Sequence, residues 1–259
     1  MNAPDMCLLS IAWQVSVDYP FVFVGNRDEY HARASAAADW WGDAPDVLGG
    51  RDLVAGGSWL GVNRDGRFAV VTNRPDMPAP EANSLSRGSL VADSLNGTLD
   101  QQRLQALLAE QSPRYGGFSL LAGNILLGAM HCYSGGHGSA RLDTTYVERG
   151  VFGLSNTALD EPWPKLTWLN DQLAALATKP DPQKLFALLL REQPVPGAET
   201  EWVSARPFIV GDSYGTRSAT VVIVDRTGRC RFIERRFGPG GAPAGETDET
   251  FKLLAGEAG

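Results

Sequence analysis

Two apolar runs near the start of the chain constrain its fold most strongly, because a short polar turn separates them. The runs span residues 7–13 (CLLSIAW) and 20–24 (PFVFV). This pattern predicts an antiparallel hairpin centred near Val17. Residues whose numbers sum to about 34 then face each other, which places Cys7 opposite Arg27. An arginine beside a cysteine favours the nucleophilic thiolate form.

Charge and cysteine content argue against several classes of protein. The 259-residue chain has a formal net charge of −7, which argues against sequence-independent nucleic-acid binding. We find no apolar stretch of the roughly 18 residues that a transmembrane helix needs, and residues 1–5 lack the features of a signal peptide. The three cysteines lie far apart and form no CxxC pair, so we expect a reducing, cytoplasmic compartment.

Further strand patterns follow along the chain, and most of them pair as hairpins. They lie at residues 67–72, 117–122, 125–130, 146–154, 218–224 and 230–234. The middle hairpin is predicted to turn at Gly123-Asn124. The last hairpin is the clearest, because its strands are rich in β-branched residues.

Helix patterns occur in consecutive groups between the hairpins. They lie at residues 86–95, 104–108, 162–176 and 182–192. Ser86 and Asp181 are the predicted N-caps, residues 75–80 a loop, and Asn96-Gly97 the break between the first two helices. This grouping favours an α+β fold over a doubly wound parallel sheet. We predict a single domain over residues 1–237, followed by a flexible tail over residues 238–259.

A series of short motifs runs through the chain. They are Met6-Cys7, 25–30 (GNRDEY), 49–52 (GGRD), 56–63 (GGSWLGVN), 72–74 (TNR), 86–88 (SRG), 153–156 (GLSN), 160–165 (DEPWPK) and 214–220 (YGTRSAT). In this order they resemble the NRDE family, also called the transport and Golgi organisation protein two family, over residues 6–237. That family is similar to the N-terminal-nucleophile hydrolases, so the resemblance implies a four-layer αββα sandwich with mainly antiparallel sheets.

The resemblance makes Cys7 the expected nucleophile. Within the superfamily, the chain looks nearest to the cysteine members that cleave amides, such as penicillin V acylases and bile salt hydrolases. An N-terminal nucleophile uses its own α-amine as the general base, but residues 1–6 precede Cys7 in this sequence. The α-amine route therefore requires a start at Met6 or clipping of the residues before Cys7. The alternative is a buried strand cysteine with no catalytic role.

Four more residues complete the expected catalytic set: Arg27, Asp28, Asn156 and Arg217. The resemblance implies that Arg27 and Asp28 contact the nucleophile, and that Asn156 donates to the oxyanion. Arg217 resembles the distal arginine of the cysteine hydrolases. In those enzymes two residues separate the arginine from the aspartate, whereas Arg27 and Asp28 are adjacent. Adjacent strand residues point to opposite faces, so both reach Cys7 only where the strand ends or bulges.

Each of these residues also has a purely structural interpretation. Arg27 and Asp28 would then form a salt-bridge cluster at a turn. Asn156 would bond its own backbone, and Arg217 would be an exposed charge at the start of a strand.

The same motifs supply the expected ligand-binding residues: Asn26, Glu29, Trp59 and Asn73. Trp59 lies among glycines that let the backbone approach a ligand closely, although a tryptophan is more often part of the core. The three histidines show no metal-ligand spacing, so no metal site is expected. No phosphate-binding glycine motif is present.

Three functions follow from this pattern. The first is hydrolysis of a linear amide or acyl bond by Cys7, acting on a small-molecule substrate without a cofactor. The second is non-catalytic binding and trafficking of haem, acyl-CoA or another lipid in the same pocket, with Cys7 or His31 as an axial ligand of the haem. The third is a scaffold or trafficking partner with no small-molecule role.

Overall fold

The structure is a computed structural model, and it describes residues 7–78, 83–96, 101–139, 141–198 and 205–254. In chain order the strands are β1 (Leu8–Trp13), β2 (Phe21–Tyr30), β3 (Ser35–Trp41), β4 (Ala44–Asp52), β5 (Leu60–Asn63), β6 (Arg67–Asn73), β7 (Phe118–Asn124), β8 (Ala129–Gly135), β9 (Asp143–Tyr146), β10 (Gly150–Leu154), β11 (Tyr214–Val224), β12 (Arg229–Phe237) and β13 (Pro243–Lys252). The helices are α1 (Arg87–Leu95), α2 (Gln101–Gln111), α3 (Pro164–Leu176) and α4 (Pro182–Leu189).

The described residues form two compact units, whereas the sequence predicts a single domain. The first unit comprises residues 7–33 and 149–251, and the second comprises residues 34–148 and those from 252 onward. Each unit contains one mainly antiparallel sheet and two helices, which is the α+β organisation that the sequence predicts. None of the described helices is long and apolar enough to cross a membrane.

The first unit is built on a six-stranded sheet with the order β10-β1-β2-β11-β12-β13. Its central hairpin pairs Leu8 with Asn26 and Leu9 with Gly25, so the register predicted from the sequence is confirmed. Helices α3 and α4 bury apolar side chains against one face of this sheet. The shared core includes Leu8, Val22, Val24, Leu166, Leu169, Leu173, Leu185, Phe186, Ala219 and Val221.

The first turn of α3 is seated on β1 and β10. A Cβ on Gly153 would lie 2.4 Å from Leu166 Cδ1, so a larger residue here would force the Leu166 side chain to move. One turn further on, Ser10 Oγ donates a hydrogen bond to Asn170 Oδ1 at 2.6 Å. These contacts fix the start of α3 near the N-terminal end of β1.

The second unit is built on a seven-stranded sheet with the order β3-β4-β5-β6-β7-β8-β9. Helix α1 packs against β5, β6 and β7. Two glycines meet where the loop before β5 crosses the start of α1, because a Cβ on Gly57 would lie 2.2 Å from the carbonyl carbon of Gly88. The neighbouring Ser58 N–H donates to Gly88 O at 3.1 Å. The two glycine motifs therefore touch through their backbones.

The helix predictions are confirmed with small shifts at the ends. Ser86 caps α1, and Asp181 caps α4 by accepting from the N–H groups of the first turn. Helix α3 begins at Pro164 rather than Pro162, and α4 ends at Leu189 rather than near residue 192. The predictions for residues 1–6, Pro80 and Gly97 lie outside the described residues.

The middle hairpin turns later than predicted. Asn124 pairs with Ala129, so residues 125–128 form the turn and the strand predicted at 125–130 is wrong. Two local features explain the shift. Asn124 Oδ1 accepts from the N–H groups of Leu126 and Leu127 at 2.9 and 3.0 Å, and Gly128 adopts a φ of 67°. Such a turn needs residues that bond locally and tolerate positive φ.

The flexible tail predicted from residue 238 is also wrong over residues 243–252. Strand β13 covers Pro243–Lys252 and adds an edge to the first sheet beside β12. Thr247, Glu249 and Phe251 are half-buried in alternation with exposed residues, as expected for a strand with one covered face. The Gly, Pro and Glu content of this segment conceals that alternation in the sequence.

Candidate functional site

Cys7 lies at one end of the first sheet, directly before β1. Leu9 pairs with Leu154 of β10 on one side and with Gly25 of β2 on the other. When both registers are carried two residues further, Cys7 falls between Asn156 and Arg27. The Cys7 carbonyl accepts a hydrogen bond from Ser155 Oγ at 2.8 Å, which supports this placement. Cys7 is half-buried, and Asn156 is 5% exposed.

Arg27 and Glu29 share one face of β2. Arg27 Nη2 lies 3.4 Å from Glu29 Oε2, and the same oxygen lies 3.7 Å from Arg33 Nε. Residues directly opposite each other on antiparallel strands share a face, so Arg27 is the charged residue of β2 that shares a cross-strand row with Cys7. The pairing of Leu8 with Asn26 agrees with the predicted register, and the contact between Cys7 and Arg27 stays a prediction.

Asn26 and Asp28 occupy the other, helix-covered face of β2. Asn26 is fully buried, and its Nδ2 donates to the carbonyls of Leu189 and Pro207, each at 2.8 Å. These contacts are structural, and the predicted ligand-binding role of Asn26 stays a prediction. Asp28 is 2% exposed, and its Oδ1 accepts from Thr216 Oγ1 at 2.6 Å. Thr216 was not identified from the sequence.

Arg27 and Asp28 are separated because β2 continues past them to Tyr30 without a break. The irregularity lies on the neighbouring strand, where the register with β2 shifts between Thr216 and Ser218. The bulge therefore falls at Arg217 rather than on β2. The two predicted partners of Cys7 face opposite sides of the sheet.

Arg217 holds the chain where it leaves β2. Its Nη1 donates to the carbonyls of Tyr30, His31 and Arg33 at 2.9, 3.3 and 3.0 Å. Burial lowers the pKa of the Arg217 guanidinium, and the nearby Arg27 charge lowers it further. The contacts described for Arg217 are therefore structural, whereas its predicted catalytic role stays a prediction.

Lys165 is the charged residue of this site that sequence reasoning missed. It lies in the first turn of α3, has 0% exposure, and donates through Nζ to Arg206 O at 3.4 Å. Its Nζ lies 4.8 Å from the centre of the Trp163 ring. Burial lowers the pKa of the Lys165 ammonium, and the negative charges of Asp28 and Cys7 partly offset that change. A lysine in a first helical turn is ordinarily solvated, so the sequence offers no sign of this burial.

Trp59 and Asn73 belong to the second unit. Trp59 lies just before β5, and its carbonyl accepts from Val71 N–H at 2.9 Å. Asn73 is the last residue of β6 and pairs with Phe118. The ligand-binding roles of Trp59, Asn73 and Glu29 stay predictions.

His31 follows the end of β2 and is held by the protein backbone. Its Nε2 lies 3.2 Å from Gly211 O, and burial followed by the Arg217 charge lowers the pKa of the ring. Strands rise about 3.3 Å per residue, so His31 lies roughly 13 Å along the sheet from the row of Arg27. Within the described part of the chain, no group of three or more His, Cys, Asp or Glu side chains is placed to hold a metal ion.

Comparison with solved structures defines the class of fold. The N-acylethanolamine-hydrolyzing acid amidase ortholog of Caenorhabditis elegans is similar with a TM-score of 0.53 and 9% identity, over 84% of this chain and 92% of that one. A mutant of the conjugated bile acid hydrolase from Clostridium perfringens is similar with a TM-score of 0.53 and 12% identity, over 96% of this chain and 97% of that one. The fold is that of the N-terminal-nucleophile hydrolases, which confirms the predicted fold class.

Sequence comparison then defines the family. The chain belongs to the Transport and Golgi organisation 2 family, which it matches over residues 6–239. It is 31% identical over 242 residues to the Transport and Golgi organization protein 2 homolog of Bos taurus, covering 84% of this chain and 86% of that protein. It is 24% identical over 261 residues to Transport and Golgi organization protein 2 of Drosophila melanogaster, covering 90% of this chain and 91% of that protein. The resemblance identified from the motifs is confirmed.

Proposed function

We propose that the chain is a cysteine-nucleophile hydrolase of a linear amide or related acyl bond. The observation that carries this proposal is the pairing of Leu9 with Leu154 and with Gly25, which supports a position for Cys7 between Asn156 and Arg27 at the end of the first sheet. Acyl transfer requires a nucleophile and a donor to the oxyanion, and a cation helps to form the thiolate. This cross-strand row would supply all three groups. The two structural neighbours are named as hydrolases, which supports the same reaction class.

Each residue of the row has a chemical role in this proposal. The Cys7 thiolate attacks the acyl carbon, and the Arg27 guanidinium favours the thiolate over the thiol. The side-chain amide of Asn156 donates to the oxyanion that develops, an interaction worth about 3 kcal/mol in comparable enzymes. Asp28 lies on the opposite face from Arg27, so we assign it a positioning role through Thr216 rather than contact with the substrate.

The thiol proton needs an acceptor. Resemblance to the superfamily supplies the α-amine of Cys7, which is available only when Cys7 is the first residue of the mature chain. Mass spectrometry of protein purified from cells determines that terminus. A mature chain that retains residues 1–6 would contradict the α-amine route, because an amide nitrogen does not act as a base.

Turnover of N-acyl amides with a fluorescent leaving group tests the hydrolase proposal. We expect Cys7→Ala to abolish turnover, and Asn156→Ala to lower kcat by about 100- to 1000-fold, as for other oxyanion donors. Cys230→Ala is the matched control, because this buried cysteine on β12 lies outside the row. Turnover that survives in Cys7→Ala would exclude the proposed nucleophile.

Carriage of haem or an acyl-CoA lipid at the same site is the competing function. For haem, the half-buried Cys7 is the better axial ligand, since His31 Nε2 lies within hydrogen-bond distance of Gly211 O. A Soret shift with micromolar haem that Cys7→Ala abolishes would favour haem carriage. Absence of any spectral change would argue against it.

We also propose a reducing, cytoplasmic setting for either function. Cys7, Cys132 and Cys230 form no disulfide with one another, although all three lie in the described part of the chain. Reduced thiols suit a nucleophilic cysteine, because only the thiolate is reactive.

A further inference from the structure

We propose that Ser155 is a positioning residue for the Cys7 nucleophile, an inference that rests on the proposed hydrolase function. The Ser155 hydroxyl donates a hydrogen bond to the Cys7 carbonyl at 2.8 Å. This bond acts on the backbone of Cys7 and not on its thiol, so Ser155 takes no part in the bond changes of the reaction. Its role is to hold residue 7 in the position from which the thiol attacks.

Cys7 lies beyond the part of β1 that pairs with β10. That pairing runs from Trp13 to Leu9, and its last pair joins Leu9 to Leu154. Ser155 is the residue directly after Leu154, and its side chain reaches the carbonyl two residues before Leu9. The hydroxyl therefore extends the contact between these two segments past the end of their strand pairing.

The α-amine route gives this hydrogen bond a purpose. When Cys7 is the first residue of the mature chain, no preceding residue restrains its backbone, and chain termini fray unless another part of the protein holds them. A bond to the Cys7 carbonyl restrains the residue while engaging neither its α-amine nor its thiol. Such restraint matters for catalysis, because a shift of about 1 Å in a reacting group can lower the rate by about 100-fold.

Ser155 is itself held in place by the loop that follows β10. Its side chain is fully buried. Asp160 N–H donates to Gly153 O at 2.8 Å, which closes this loop back onto the strand. Asp160 Oδ1 also accepts from Asn170 Nδ2 of α3 at 3.0 Å. Strand β10 and helix α3 therefore both fix the segment that carries the Ser155 hydroxyl.

Alkylation of Cys7 by iodoacetamide, measured on the full-length chain, tests the inference without any substrate. Peptide mass spectrometry assigns each modified cysteine. The plateau rate at about pH 10 reports access to the Cys7 thiolate rather than the fraction of thiolate. Cys132 and Cys230 react slowly there, because burial raises the pKa of Cys132 to about 12 and also raises that of Cys230.

The variant Ser155→Ala removes the donor and leaves the rest of the side chain unchanged. Because Cys7 is half-buried, its release should raise the plateau rate of alkylation by about fivefold, the factor that one typical hydrogen bond supports. Ser119→Ala is the matched control. Ser119 is also fully buried and lies 3.0 Å from Ser134 Oγ, but it belongs to β7 of the second unit, so its loss should leave the alkylation of Cys7 unchanged.

Turnover of the fluorescent N-acyl amides gives a second readout that a purely structural role would not change selectively. In Ser155→Ala we expect kcat to fall by about tenfold or more while KM changes little, because a misplaced nucleophile slows the reaction and not substrate binding. A general loss of folding would also expose Cys132 and Cys230. Release of residue 7 alone should leave the alkylation of both at the wild-type rate.

Asp160→Ala covers the case in which Ser155→Ala does not fold, because it loosens the same loop from its exposed end and keeps the hydroxyl. It should raise the alkylation of Cys7 by a smaller factor. A wild-type rate of Cys7 alkylation in Ser155→Ala, or in Asp160→Ala where it stands in, overturns the inference, and so does a wild-type kcat. Faster alkylation combined with turnover that survives Cys7→Ala would instead refute the hydrolase proposal and leave the restraint by Ser155 intact.

Discussion

Asn26 illustrates how one motif residue can hold several elements together. Its side chain is fully buried, and its two N–H groups satisfy the carbonyl that closes α4 and a carbonyl in the segment before β11. Neither carbonyl belongs to a strand ladder, so the amide supplies hydrogen bonds that the sheet does not. Asn26 therefore ties β2 to the chain segments that cover it.

Substitution Asn26→Ala should destabilise the protein by about 2–4 kcal/mol, because it leaves two buried acceptors without donors. Urea denaturation measures the change. Gln102→Ala, which removes an exposed amide from α2, should leave the free energy of unfolding nearly unchanged. A loss below about 0.5 kcal/mol for Asn26→Ala would show that water replaces the amide.

Residue-scale prediction succeeded where local register decides the answer and failed where tertiary burial does. The spacing of two apolar runs was sufficient to predict the register of β1 and β2, in which Leu8 pairs with Asn26. The burial of Lys165 depends on how α3 is seated against β1 and β10, which no local pattern encodes. The side of β2 that Asp28 faces follows from strand alternation, but its partner Thr216 comes from a distant strand.

At the scale of elements, β13 is stabilised by charge pairs with its neighbour β12. Arg231 forms a bidentate pair with Asp248, with distances of 2.9 and 2.6 Å, and Arg235 Nε lies 2.7 Å from Glu246 Oε2. The pair raises the pKa of Arg231 and lowers that of Asp248. The pairs cross from one strand to the other and so hold the edge strand in register.

The double substitution Glu246→Gln/Asp248→Asn should lower stability by about 0.5–2 kcal/mol at low salt, the range for two partly exposed pairs. In about 1 M NaCl the difference should shrink, because the Debye length falls to about 3 Å. Thermal unfolding at two salt concentrations measures both effects.

Asp143→Asn serves as the control for this pair of substitutions. Its ion pair with Arg141 is far more exposed, at 66% and 85% of the two side chains, and should contribute nothing measurable. A salt-independent loss in the double variant would mean that β13 is held by its backbone and not by these charges.

Elements with strong periodicity or clear caps were predictable, and those without them were not. Ser86 and Asp181 mark α1 and α4 because their side chains can satisfy the first backbone N–H groups. Strands β3 to β5 gave no signal, since the stretch that contains them is rich in alanine, glycine and aspartate. In β3 the buried residues are Ala38 and Trp41, and that pair is too sparse to establish a period of two.

At the scale of the whole molecule, the fold followed from the order of the motifs, whereas the division into two units did not. A single domain was expected because strand hairpins continue along the chain with little interruption. The first unit is instead assembled from the two ends of the sequence, residues 7–33 and 149–251. Elements that pack together in the first unit therefore lie far apart along the chain.

The stability of the whole molecule should fall as the pH drops from 7.5 to 5.5. Burial lowers the pKa of His31 and of His131 in the folded chain, so below an ordinary pKa of about 6.5 the unfolded chain binds more protons than the folded one. Proton uptake by the unfolded state then costs folding stability. Urea denaturation at the two pH values measures the loss.

The variant His31→Gln isolates one of these two histidines. Glutamine can keep a hydrogen bond to the Gly211 carbonyl but does not titrate, so the drop in stability between pH 7.5 and 5.5 should be smaller than in the wild type. An equal drop in both proteins would mean that His31 titrates normally in the folded state.

The abutting glycines of the second unit have an evolutionary consequence. Because a Cβ on Gly57 would run into the backbone of Gly88, even a methyl group at position 57 would push the loop off the helix. The residue that can stand at position 57 is therefore limited by a stretch of chain some thirty positions further on.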